Sequence, residues 1–220
     1  MPLEWFARSS LACANVFERE NEALMNGKGR DESAGFIPPR GGYENLLSYQ
    51  KALIVFHATK YFCRRFIRPS DRTYDQMVQA ARSGKQNIVE GSQASGTSKE
   101  MEIKLTSVAR ASLEELLEDY RDFLRDRKLE EWGRDHRYTQ RLRELNRTPG
   151  ANYETFRKGI EHEDPAICAN VIIGLIKLTT YLLDRQIQAL EQAFLKNGGL
   201  REAMTRARIA SRKKKGTEGT

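Results

Sequence analysis

Small and apolar residues recur along Asp71–Gly91 at steps of three and four: Met77, Ala80, Ala81, Gly84, Ile88 and Gly91. That spacing puts them on one side of a helix and leaves Arg72, Gln79, Arg82, Lys85 and Gln86 mostly elsewhere. A glycine inside a helix costs about 1 kcal/mol relative to alanine, so Gly84 predicts a neighbouring backbone too close for a Cβ. An earlier helix is predicted from Glu44 to about Ile67, with Leu47, Ile54, Ala58, Tyr61 and Phe62 inward and Pro69 beyond its end. Asp71 is placed to cap the next helix, which is expected to stop at Gly91 before a turn over 92–98. A third helix, capped by Thr97 or Ser98, runs to about Asp126 with Leu105, Ala109, Leu113, Leu116, Tyr120 and Phe123 in one stripe.

Residues 128–163 lose this periodicity, with breaks at Trp132, Gly133, Pro149 and Gly150 and room for short helices only. Asp164-Pro165 then opens a last long helix, proline being favoured at a first helical position. This helix carries two apolar seams: Ile167, Val171, Leu175, Leu178 and Leu182, and Ile172, Ile176, Thr179, Leu183, Ile187, Leu190 and Phe194. One buried stripe suffices for a helix in a monomeric bundle, so the second seam predicts a homo-oligomer. Gly198-Gly199 ends the helix, and Leu200–Arg212 reads as a short basic helix entering Lys213, Lys214 and Lys215. No strand-like alternation of useful length occurs. The fold expected is all-α, an up-and-down four-helix bundle over 43–197 with an insert at 128–163 before the last long helix. An N-terminal extension occupies 1–42, with a short helix at 9–26, and a basic helix and tail occupy 198–220.

The chain has 220 residues, 39% of them hydrophobic, and a formal net charge of +7. That is enough apolar material for a folded core. The positive excess is concentrated in 127–162 and 197–220, outside the periodic helices, which points to an anionic partner, nucleic acid ahead of a membrane surface. Three scattered cysteines, Cys13, Cys63 and Cys168, indicate neither a disulfide framework nor a metal knuckle. Glu4 and Arg8 interrupt any secretory signal, and the longest apolar run, Val171–Ile176, is too short to span a bilayer. The expectation is a cytoplasmic protein without a membrane partner.

Three blocks carry a family resemblance: Tyr43–Ala52, Asp71–Gly91 and Val108–Leu116, supported by Asn170–Ile176 and Asp184-Arg-Gln. Together they resemble the bacterial four-helix bundle proteins related to those encoded in intervening sequences of 23S ribosomal RNA, nearest the four helix bundle suffix domain branch. The resemblance extends from about Phe36 to Arg208. More distantly, the family is similar to the accessory variability protein of diversity-generating retroelements, a basic pentamer that binds a reverse transcriptase and nucleic acid. The resemblance therefore implies a positively charged homo-oligomer, with a pentamer and a nucleoprotein or reverse transcriptase partner as its specific expectations. The chain departs from that pattern in its N-terminal segment, its insert and its basic C-terminal extension.

Ser83-Gly84-Lys85-Gln86 lacks the earlier glycine and the following Ser or Thr of a phosphate loop, having Gln79 and Gln86 there. Asn87 is expected to hydrogen-bond within its helix. His57, His136 and His162 lack metal-ligand spacing, and His57, lying among Phe56, Ala58 and Tyr61, is expected to be a packed or bridging histidine and not a catalytic base. Glu114, Glu115, Glu118, Asp119, Asp122 and Asp126 at the end of the third helix are expected to pair with Lys60, Arg64, Arg65, Arg68 and Arg72. No nucleophile with a base, metal set or cofactor loop can be assembled, so no enzyme and no cofactor are expected. The candidate nucleic-acid contacts are Arg134, Arg137, Arg141, Arg143 and Arg147 in the insert, and Arg201, Arg206, Arg208, Arg212, Lys213, Lys214 and Lys215 in the tail. Arg72, Arg82 and Lys85 are added from the second helix. No aromatic stacking motif is evident, so RNA or DNA binding is expected to be sequence-tolerant and salt-dependent. The alternative is a protein-binding adaptor that presents its appendages to another protein.

Overall fold

The computed structural model describes residues 42–217, with side chains placed through Arg212, and these residues are all-α. A 3-10 turn at Tyr43–Asn45 leads into α1 (Leu47–Phe66), α2 (Arg72–Ala94) and α3 (Lys99–Asp126). Two short helices follow, α4 (Arg137–Asn146) and α5 (Tyr153–Ile160), then α6 (Pro165–Asn197) and α7 (Leu200–Thr217). The expected helix at 9–26 lies outside the described residues, as does the extension apart from Gly42.

Local chemistry sets most of the helix starts. Asp71 accepts from the Thr73 amide at 3.0 Å, Ser98 from Met101 at 3.1 Å, and Asp164 from Ala166 at 2.8 Å, each satisfying a donor that the first helical turn leaves free. α1 begins three residues later than expected, because Leu46 is extended after the 3-10 turn. α2 also runs through Gly91 to Ala94. A Cβ on Gly91 would lie 3.4 Å from both the Glu102 carbonyl oxygen and Leu105 Cβ, so this glycine serves packing and does not end the helix. The turn that follows is therefore shorter than 92–98.

The four long helices contact one another in a cycle, α1 with α2, α2 with α3, α3 with α6 and α6 with α1. Gly84 faces Leu113 and Gly91 faces Leu105, so α2 and α3 run in opposite directions. Ser48 donates to Gln186 while Tyr61 donates to the Glu161 carbonyl, which sets α1 against the direction of α6. In the core, the Phe62 ring lies 4.9 Å from Tyr120 and 4.7 Å from Phe123, and the Tyr120 hydroxyl donates to Thr59. The space at Gly84 is taken by a side chain, since a Cβ there would lie 2.7 Å from Leu113 Cγ and Cδ2, while the nearest backbone atom is 3.5 Å away. The expected close backbone is replaced by a fully buried leucine.

The insert begins where Lys128 adopts φ 55° and Leu129 donates to the Leu124 carbonyl, turning the chain off α3. Buried Asn170 of α6 fixes the next stretch by accepting from the Trp132 amide and donating to the Glu130 carbonyl. α4 and α5 then lie on α6, and α5 also touches α1. Leu142 sits over Gly174, Val171 packs at Gly159, and Phe156 and Ile160 are buried. These contacts supply the second side for α6: Val171, Leu175 and Leu182 of one seam, and Ile172, Ile176 and Leu183 of the other, are buried within one chain. The inference from two seams to a second copy loses its basis over that stretch. Beyond it, Ile187, Leu190 and Phe194 are half-buried and Leu195 is 84% exposed.

Pro165–Arg212 contains a window long and apolar enough to cross a membrane by length and composition, of mean hydropathy 1.8, and 61% of it is buried inside the protein. The uninterrupted run Val171–Ile176 understates that window, because averaging spans the polar residues between its apolar ones.

Candidate nucleic-acid interface

The sequence-selected basic residues fall on three elements. Arg72 and Arg82 are exposed on α2. Lys85 is half-buried, its Nζ 5.6 Å from the centre of the Phe56 ring, and Lys60 approaches the same ring at 5.5 Å. His57 is next to this pair, exposed at the surface, with its ring packed 5.4 Å from that of Phe56. Partial burial, then the charges of Lys60 and Lys85, hold its pKa below the ordinary histidine value. Lys85 thus belongs with Lys60 and His57, away from the insert.

The expected pairing between the acidic end of α3 and the basic end of α1 does not form. Glu114 pairs with Arg110, Glu118 with Arg121 and Asp122 with Arg125, all within α3, where spacings of three or four make the partners neighbours. Asp119 is left between its acidic neighbours; burial, then Glu115 and Asp122, raise its pKa to about 6. Arg68 lies near enough to Asp71 to help hold that carboxyl low, after the Thr73 hydrogen bonds and alongside Arg127. Asn87 does bond within its helix, donating to the Ser83 carbonyl at 2.9 Å.

In the insert, Arg134, Arg143 and Arg147 form one group. Arg143 donates to the Arg134 carbonyl at 3.1 Å, closing the loop before α4. Its guanidinium is held below the ordinary arginine value by burial, then by Arg134 and Arg147, against the opposing charge of Asp135. Arg141 differs, because it pairs with Glu144. Arg137 lies over Tyr138, 4.4 Å from the ring centre, and donates to its hydroxyl.

Tyr138 belongs to an aromatic group that the sequence reading missed. Trp132 and His136 stack with ring centres 4.8 Å apart and planes 12° apart, and Tyr138 lies 5.1 Å from Trp132 and 5.5 Å from His136. Nδ1 of His136 accepts from the Tyr138 amide, capping α4. Trp132 precedes that helix, so the three residues show no common helical spacing. The available signal was their alternation with Arg134 and Arg137 within seven positions.

No family model, curated protein or solved structure matches the chain.

On α7, Arg201, Arg206, Arg208 and Arg212 are exposed. Arg206 donates to the Asn197 carbonyl at 2.8 Å, and Glu202 accepts from the Gly199 amide, so the turn out of α6 is closed by α7's own first residues. The helix continues through Lys213, Lys214 and Lys215, whose side chains lie outside the described residues. Among the described residues, no group of three or more His, Cys, Asp or Glu is placed to hold a metal ion. Cys63 and Cys168 are buried free thiols whose pKa values burial pushes up to about 12, leaving them protonated near neutrality.

The arrangement offers grouped guanidinium and ammonium charges on elements attached to an apolar body. Such groups bind phosphates as additive, salt-sensitive contacts, each weak alone.

Proposed function

We propose that this protein is a non-enzymatic helical bundle of the up-and-down four-helix type that binds RNA or DNA, or a nucleoprotein, largely irrespective of sequence. The observation that carries the reading is the placement of charge. Arg134, Arg143 and Arg147 are gathered in the insert, and the arginines of α7 are exposed along a helix whose residues from Arg201 to Arg212 are exposed apart from half-buried Ala203. The four-helix reading rests on the cyclic packing of the long helices and their opposed directions. Membership of the family resembling 23S ribosomal RNA intervening-sequence proteins and a reverse transcriptase partner belong to the same proposal and rest on the sequence blocks, while a cytoplasmic location is proposed from Glu4 and Arg8 near the N-terminus and from the shortness of the run Val171–Ile176.

Self-association is also proposed, with a second copy meeting the C-terminal third of α6, where Leu195 is exposed. Several copies would gather these basic elements and make weak phosphate contacts cumulative. A pentamer is the count that the resemblance implies. Sedimentation at micromolar concentration is expected to give a species larger than the 25.2 kDa monomer, and a monomer would remove this part of the proposal.

The binding test is a mobility-shift titration with structured RNA at two salt concentrations, comparing the intact chain with one truncated after Asn197. Binding that weakens steeply with salt and with truncation is expected. Equal, negligible retention by both chains would sink the reading. An adaptor is the second reading, favoured by Met204 and Ile209, which are exposed on α7 among its arginines. Capture of a protein partner that survives nuclease and high salt would decide for it.

A further inference from the structure

We propose that the insert is a binding site for unpaired nucleotides, in which a base stacks on the aromatic group of Trp132, His136 and Tyr138 while its flanking phosphates meet Arg134 and Arg137. This inference rests on the nucleic-acid reading above and narrows its ligand to single strands. Three observations converge. The rings form a continuous group, with Trp132 and His136 stacked with nearly parallel planes and Tyr138 38% exposed at its edge. The group is held in place before any ligand arrives: the Trp132 amide donates to Asn170 at 2.7 Å, His136 caps α4, and Arg143 closes the loop through the Arg134 carbonyl. Arg134 and Arg137 lie within the same seven-residue stretch as the rings.

The combination separates ligand classes. A duplex buries its base faces in its own stack and offers this surface only phosphates. An unpaired base offers an open π face, and stacking on an aromatic or guanidinium plane tolerates any base while cationic side chains follow the backbone. Arg137, already lying over Tyr138, extends the flat surface. The occupant is therefore a single-stranded RNA or DNA segment.

The test uses the full chain carrying Trp5→Phe, which leaves Trp132 as the only tryptophan. Emission from Trp132 and binding affinity are followed during titration with oligothymidylate and, separately, with a blunt duplex of equal length. Oligothymidylate is expected to quench Trp132 and to bind more tightly than the duplex. Tyr138→Ala should weaken single-strand binding by about fivefold to a hundredfold, the range for losing one stacked base, and leave duplex binding unchanged. Tyr138→Phe should restore it. Tyr138 is partly exposed, and unchanged helical circular dichroism would show that each variant folds. Equal affinity for the two ligands, or equal losses for both in Tyr138→Ala, would overturn the single-strand site while sparing general nucleic-acid binding. Failure to bind either ligand would overturn both.

Discussion

The α2–α3 and α4–α6 interfaces each seat a leucine over a glycine, yet they hold with different strength. Leu113, received at Gly84, has no exposed surface and is surrounded by the core that includes Ile88, Ala109 and Leu116. Leu142, received at Gly174, is the only buried residue of α4. The insert makes up the difference with polar ties, Asn170 to the 130–132 backbone and Glu131 between Arg121 and Lys177. The lesson is that the long helices are held by apolar burial, whereas the first half of the insert is held by one buried leucine, the half-buried Leu129, Trp132 and Leu145, and a polar strap. α4 should therefore loosen without unfolding the remainder.

Leu113→Ala gives the largest expected effect, a loss of about 2–5 kcal/mol in global stability from lost burial and a cavity, read by denaturant unfolding. Leu142→Ala removes the same atoms and should cost less than about 1 kcal/mol globally, the damage appearing as faster amide exchange confined to α4. Equal global losses in the two variants would break the comparison.

Gly84→Ala sharpens it next. Alanine gains about 1 kcal/mol of helix propensity, but its Cβ would meet both Leu113 Cγ and Cδ2 at 2.7 Å, and overpacking costs about 1–3 kcal/mol. A net loss of about 1 kcal/mol is expected. At Gly174 a Cβ would meet mainly the Leu142 Cδ2 methyl, which can turn aside, so Gly174→Ala should leave the melting temperature nearly unchanged. A larger drop from Gly174→Ala than from Gly84→Ala would reverse the ranking.

The two regions should also respond to pH with opposite sign. Asp119, on α3, has a folded pKa raised to about 6 by burial, Glu115 and Asp122. The folded state binds the extra proton, so its stability is greater near pH 4 and falls as pH rises through 6, by less than about 1 kcal/mol after solvent screening. Asp119→Asn should be more stable than the parent at pH 7 and should lose that advantage near pH 4. Glu131 behaves in the other sense. Burial alone would raise its pKa, but hydrogen bonds and charges from Lys177 and Arg121 outweigh it and hold the carboxyl below its ordinary 4.5. Its contribution is present above pH 4.5 and is lost as pH falls through the lowered folded value. Protection factors, corrected for the intrinsic slowing of exchange in acid, should therefore fall in the 128–136 strap at low pH, while the contribution of Asp119 to α3 grows. Parallel pH responses in the two regions would contradict the separation.

The smallest effect concerns the junction between the regions. Lys128 holds a left-handed conformation that costs a non-glycine residue about 1–2 kcal/mol. Lys128→Gly should recover up to about 1 kcal/mol, measured as a raised unfolding midpoint, and a lowered midpoint would indicate that the lysine side chain matters more than its backbone.

Much of the long-helix layout was legible in the residues. The caps at Asp71, Ser98 and Asp164 and the stripe from Leu105 to Phe123 depend on nearest neighbours and on a 3.6-residue period, both of which a single sequence exposes. Gly91 misled for a corresponding reason: a glycine that makes room for α3 looks, in one dimension, like a glycine that ends α2. The candidate site was legible only as charge. Arg134, Arg143 and Arg147 could be selected by composition, but their mutual proximity and the Trp132–His136 stack required the loop before α4 to close. Ion pairing was misplaced because α3's acids found partners one turn away, where meeting requires no long-range packing.

The sequence alone determined that the described residues are helical, where α2, α3 and α6 begin, and which segments carry a net positive charge. Propensity, capping and periodicity act over a few residues, and charge requires only counting. The tertiary structure decided what covers α6. Two apolar seams specify that two sides must be dry, but not whose surface dries them, and Leu142, Phe156 and Ile160 of the chain's own insert are buried against the N-terminal part of α6, around Val171 and Gly174. That choice depends on how the segment 127–164 between α3 and α6 folds back, which no local pattern encodes.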